Sequence, residues 1–175
     1  MSIVSDGAKV KFGAVSAGSA VEIPFSTTLL VRDTCLCLHV QRAARVLARR
    51  FDLALKPAGL TNGQFSLMMS LNRPDAPGVP KATMGSVAEL LGVDRTTLTA
   101  AARVLYDRGL IRIEAEADDR RSKVLKLTTE GRRVLALAVP IWTREHEAIE
   151  RKLAEGGGDD AAKRLRRDLR VLEKG

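Results

Sequence analysis

Residues 83–127 constrain this 175-residue chain more than any other stretch. They predict a helix, a tight turn, a second helix, and then a two-stranded hairpin with a charged tip. Thr83 has the hydroxyl to N-cap a short helix whose inner face is Val87, Leu90 and Leu91. Gly92 follows the last apolar position, where a residue free to take positive φ ends a helix. Asp94 suits the N-cap of the second helix, which places Leu98, Ala101, Ala102 and Leu105 at helical spacing. The outer face of that helix carries Arg95, Thr96, Thr97, Thr99 and Arg103. Hydroxyls and guanidinium groups on a cylinder of this width match the phosphates and base edges of a DNA major groove. Ile111 and Ile113 then alternate with Arg112 and Glu114, and Leu125 and Leu127 flank Lys126, the pattern of half-buried strands. Between them Asp119, Arg120, Arg121 and Lys123 crowd one loop too polar to bury. An arginine on such a tip suits a minor groove, where the potential is most negative.

This order of elements, followed by a Leu-Thr-Thr-Glu-Gly step (127–131) into a long helix, resembles the multiple-antibiotic-resistance regulator (MarR) family of bacterial transcription factors. The likeness is carried by Gly109-Leu110-Ile111, by Asp119-Arg120-Arg121 seven residues later, and by Thr128 and Gly131. It extends over residues 29–172. The resemblance implies a mainly α fold with a small β wing. Residues 57–128 would form a winged helix-turn-helix domain, residues 27–56 and 129–175 a helical dimerisation region, and residues 1–26 an N-terminal arm. It implies a homodimeric regulator, a repressor, on a pseudo-palindromic operator in double-stranded DNA. A small organic effector, an aromatic or other organic acid, would relieve repression from a crevice near His39, Arg42, Phe65 and Trp142. Members often carry an arginine just after the recognition-helix threonine. Here Thr99 is followed by Ala100, Ala101 and Ala102, so base reading falls to Arg95, Thr96, Thr97 and Arg103. Arg120 and Arg121 would enter the flanking minor groove, with Asp119 orienting one of them through a charge-assisted hydrogen bond.

Composition agrees with that direction. There are 29 Lys and Arg against 21 Asp and Glu, a net charge of +8, which suits a polyanionic partner. The hydrophobic share of 45% supports a folded chain, and the aromatic share of 3% leaves a core of Leu, Val and Ala, which favours helices. No apolar run reaches the roughly 18 residues of a membrane span. The Ala-, Gly- and Ser-rich first 24 residues, interrupted by Gly13, Gly18 and Glu22, make a poor signal peptide and read as a loose arm. Two cysteines two positions apart form no extracellular disulfide framework. A cytoplasmic protein is expected.

Elsewhere, residues 27–56 predict one long helix closed by Pro57, and Thr61 with Gln64 forms a capping box. Three prolines and a glycine make residues 72–81 a loop. Thr128 or Thr129 should cap a helix over 130–153, bent at Pro140. Residues 155–158 read as a turn, and Asp159 as the cap of a last helix with Ala162, Leu165, Leu169 and Leu172 in a stripe among Lys163, Arg164, Arg166, Arg167 and Arg170. A lone helix of that length does not hold in water; the terminal helices of a second copy are its natural partner.

Catalytic chemistry has no foothold: there is no GxxxxGK[ST] loop, GxSxG elbow or HExxH pair. No cofactor and no metal are expected, since Cys35 and His39 supply only two ligands. Cys35 and Cys37 default to small buried hydrophobes. Within the resembled family, a branch of organic-peroxide repressors places a reactive cysteine near this position, and Arg32, His39 and a helix N-terminus would lower its pKa. Thiol-based redox sensing through Cys35 or Cys37 is therefore one alternative. A protein-interaction adaptor that does not bind DNA is the other.

Overall fold

In the computed structural model, which describes residues 22–115 and 123–173, short polar side chains fix where the helices begin. The Thr61 hydroxyl accepts the Gln64 N–H (3.2 Å) while the Gln64 side chain accepts the Thr61 N–H (3.0 Å), starting α3 (Asn62–Ser70). Thr83 and Ser86 make the same reciprocal pair ahead of α4 (Met84–Leu91). Asp94 starts α5 (Arg95–Asp107), and Thr128 starts α6 (Thr129–Gly157). The remaining elements are α1 (Phe25–Thr34), α2 (Leu36–Leu55), a short 3-10 helix (Lys56–Ala58), β1 (Ile111–Ala115), β2 (Lys123–Leu127) and α7 (Ala161–Leu172). The architecture is mainly α with one two-stranded antiparallel wing.

The chain divides into two compact units, Met1–Arg42 and Ala43–Gly175. In the first, the single helix expected over 27–56 is broken at Cys35, which is extended (φ −71°, ψ 105°). The break costs little, because the groups it orphans find partners. The Cys35 N–H still reaches Val31 O (3.0 Å), and His39 Nε2–H donates to Asp33 O (3.3 Å) in place of a helical amide. The Thr34 hydroxyl donates to Leu30 O at 2.7 Å. No residue of α1 is buried, and Leu55 alone is buried in α2.

The second unit holds the core. Phe65, Leu67 and Met68 from α3, Val87 from α4, and Leu98, Ala102 and Leu105 from α5 pack with Ile111 and Leu125 of the wing and Leu135 and Ala138 of α6. Ile111 pairs with Leu127 and Ile113 with Leu125, so these four turn inward as alternation predicts; Val124, on the other face of β2, is buried as well. Leu90 does not join: it is 65% exposed, and Ala88 takes its place. At about 100° per residue Val87, Ala88 and Leu91 share one stripe, and Leu90 falls outside it. Gly92 ends α4 in the left-handed region (φ 63°), as its position required.

Helix α6 is longer than expected. It runs unbroken through Pro140 and on through Gly156 and Gly157, where a turn is expected from the glycine run. The residue before α7 is Asp160, not Asp159, and it makes no side-chain cap bond. Instead Arg164 donates to Gly157 O and Arg166 pairs with Glu150 (2.6 Å), fastening α7 to the end of α6. Of the predicted α7 stripe, Ala162 is buried and Leu165 and Leu172 are exposed. Among the described residues no helix is long and apolar enough to cross a membrane.

The loop between α3 and α4 is tied down at both edges. Arg73 donates to Ser70 O (2.7 Å) and Pro80 O (2.9 Å), closing the loop on itself. Lys126 of β2 holds Asp75 at 2.6 Å, and its ammonium keeps the Asp75 carboxyl below the usual carboxylate range. Lys126 gave no local signal in the sequence, because its partner Asp75 lies 51 positions away.

Candidate nucleic-acid interface

Helix α5 presents its outer face because Leu98, Ala102 and Leu105 bury the opposite one. All five predicted readers, Arg95, Thr96, Thr97, Thr99 and Arg103, are exposed on it. Their hydrogen-bonding groups are not equally available. Asp94 accepts the Thr97 N–H (2.8 Å) and the Thr97 hydroxyl (2.7 Å). The Thr99 hydroxyl donates back to Arg95 O at 2.7 Å. Arg103 donates to Asp107 (2.9 Å) and lies 5.7 Å from the Tyr106 ring centroid, a cation–π contact. Thr97 and Thr99 thus serve the helix first, and Arg103 is held toward its C-terminal end. Among the described residues Arg95 and Thr96 alone of the five have no side-chain partner. The Arg95 guanidinium lies over Gly85 of α4, where a Cβ built on the glycine would come within 3.1 Å of Nη2.

Hydrogen bonds from the Thr97 backbone, then its hydroxyl, hold the Asp94 carboxyl below the ordinary carboxylate range. A depressed folded-state pKa contributes stability that is complete above the unfolded value, about 3.9, and is lost as pH falls through the lower folded value. Asp94→Asn should therefore be less stable than the parent at neutral pH, and the gap should close as pH is lowered below about 4. Urea unfolding across that range measures the gap; a constant gap would mean that the carboxylate charge is idle.

The wing strands stand beside α5, with Lys123 exposed at the first position of β2. Asp119, Arg120 and Arg121 lie outside the described residues. Thr128 fixes the base of the wing: its N–H donates to Leu110 O (3.1 Å), its hydroxyl to Gly109 O (2.7 Å), and it accepts the Gly131 N–H (2.9 Å).

Of the four residues proposed for an effector, Phe65 and Trp142 meet, stacked at 6.0 Å between centroids. They line an apolar cleft of about 450 Å³ with Met69, Leu90, Leu91 and Val139. His39 and Arg42 belong to the other unit and are exposed on α2. Cys35 is half-buried at the helix break and Cys37 is exposed, accepting from Gln41 at 3.1 Å. Arg32, one expected thiolate stabiliser, pairs with Asp33 (2.6 Å), and His39, the other, bonds to Asp33 O. Among the described residues no three His, Cys, Asp or Glu side chains converge to hold a metal.

Residues 58–122 match the model of the MarR family. The chain is 38% identical to the transcriptional regulator MosR of M. tuberculosis, solved in complex with DNA, covering 80% of this chain and 94% of that one with a TM-score of 0.65. The repressor CouR, bound to a 23-mer DNA duplex, is 29% identical over 81% of this chain and 94% of its own (TM-score 0.66). Another structure, of CouR from Rhodococcus jostii, holds p-coumaroyl-CoA. The transcriptional regulator HosA of Escherichia coli is 34% identical over 82 residues, 47% of this chain and 57% of HosA, so the chain spans about half the length of that relative. A capped helix-turn-helix, a two-stranded wing and near-complete coverage of MosR lead to one assignment: this chain belongs to the MarR family of winged-helix transcriptional regulators.

Proposed function

We propose that the protein is a homodimeric repressor that binds double-stranded DNA through α5 and the wing and releases it when a small organic effector binds. The observation that carries the reading is the open Arg95–Thr96 pair on α5, in a chain 38% identical to a regulator solved on DNA. Residues 57–128 are the reading domain, 27–56 and 129–175 the dimerisation region, and 1–26 an arm. Exposed apolar side chains support the dimer: Phe25 and Leu36 of the first unit, and Leu53, Val171 and Leu172 of the second, stand more than half in solvent. Two copies would read half-sites about 10 bp apart. Arg120 and Arg121, which the sequence puts between the two wing strands, supply minor-groove contacts. The effector enters the Phe65–Trp142 cleft, whose apolar lining suits an aromatic acyl group such as the one CouR binds. The setting is the cytoplasm, where the operator is.

Light scattering should give the mass of two chains, and anisotropy on an operator duplex should show affinity falling steeply with salt. Six phosphate contacts per dimer correspond to a log–log slope of about −5. A flat salt response would instead favour the adaptor reading, and a monomer would remove the paired-copy picture altogether.

A further inference from the structure

One line of side chains in the second unit is not used by the DNA-reading surface. Trp142, His146 and Glu150 lie at successive four-residue steps on α6, hence along one face. Phe65 of α3 stacks on Trp142 at 6.0 Å. The His146 ring meets the indole edge-on at 4.7 Å (77°). His146 Nδ1 stands 3.8 Å from Glu150 Oε1, and Arg166 of α7 holds that same oxygen at 2.6 Å. His146 is about one-third exposed, so protons reach it. Glu147, which is exposed, lines the same surface hollow as Trp142, His146, Glu150 and Arg166, while Glu145 is engaged by Arg50 of α2 at 2.8 Å. From α3, Phe65 reaches Trp142.

Imidazole rings gain a proton within the physiological range, between about pH 5 and 8. A neutral His146 leaves Glu150 to Arg166. A charged one brings a second cation to the same oxygen, attracted to Glu150 and repelled by Arg166. We propose that His146 is a proton sensor that exchanges the partner of Glu150, loosening α7 from α6 and shifting the ring against Trp142. Phe65 carries the shift into α3, which packs with α5 in the core. Protonation is thereby an input to the DNA-reading helix alongside the organic effector. This last step rests on the DNA-binding reading above; the exchange at Glu150 does not.

Trp142 is the only tryptophan of the chain, and imidazolium in contact with indole quenches its emission, so the switch reports on itself. On lowering the pH of the full-length protein from about 8 to 5, emission should fall in a single step. His146→Gln should abolish the step. Glu150→Gln, which removes the anion that favours the charged ring, should move the midpoint down in pH. Arg166→Gln, which removes the competing cation, should move it up. A flat wild-type titration, a step that survives His146→Gln, or midpoints displaced in the same direction by the two partner variants would overturn the proposal. On the operator at constant ionic strength, affinity should change about fivefold or more over the same range and stay level in His146→Gln. An operator affinity that ignores pH while the optical step remains would remove the link to α5. Failure to bind any duplex at either pH would remove the regulator reading and leave the local switch standing.

Discussion

Gly131→Ala should unfold this protein more readily than any other single methyl added in the second unit. A Cβ at position 131 would sit 2.0 Å from Leu110 O and 3.0 Å from its carbonyl carbon. Those atoms are backbone, so no side chain can rotate away, and either the start of α6 or the root of β1 has to move. Movement also strains the two bonds from Thr128 to Leu110 O (3.1 and 3.2 Å). Overpacking of this kind costs about 3 kcal/mol or more, because the contacts around it are already at van der Waals distance. For a chain of this size that corresponds to a melting midpoint roughly 6–12 °C lower. A thermal melt followed by circular dichroism measures it. A midpoint within about 2 °C of the parent, a shift worth less than 1 kcal/mol, would mean that α6 does not approach Leu110 as described.

The second large effect belongs to Arg95. Arg95→Ala should lower affinity for the operator by on the order of 10–100-fold at fixed salt, the range of a lost specific contact. Stability should be unchanged, because the guanidinium makes no hydrogen bond or ion pair among the described residues and the helix cap at Asp94 is untouched. Thr99→Val is the matched control: its hydroxyl proton already goes to Arg95 O, so its loss should matter far less. Anisotropy on the operator and on a scrambled duplex separates loss of reading from loss of general affinity. Equal losses from the two variants would mean that hydroxyl engagement within the helix does not decide which residues read DNA.

The helix starts were legible from residues because capping is local. Thr61 with Gln64, Thr83, Asp94 and Thr128 each find their partner within three positions. The wing was legible for a similar reason, since a period of two decides which face of a strand is wet. What escaped depends on contacts that sequence distance hides. The interruption at Cys35 rests on His39 reaching back to Asp33 O. Gly131 was legible as part of a motif, but the reason for it appears only once Leu110 is seen beside it. The line of Trp142, His146 and Glu150 takes its meaning only in the fold, because nothing local announces that Arg166 holds Glu150. At the interface the residue types were legible and their prior commitments were not. Thr97 and Arg103 could be recognised as donors, but that Asp94 and Asp107 engage them follows only from the folded helix. Leu90 was misplaced by two positions and Asp159 by one, where an apolar stripe and a glycine run left more than one register open.

The weld between Thr128, Gly131 and Leu110 makes α6 a lever with its short end fixed in the wing. At about 1.5 Å per residue its 29 residues extend roughly 44 Å. A tilt of about 5° about the Thr128 end would sweep the Gly157 end through about 4 Å, given that length. Read in reverse, a displacement of several ångströms at the distant end, where α7 is strapped on, reaches the root of the wing as a small rotation. A rotation, unlike a translation, changes the direction in which the wing strands point.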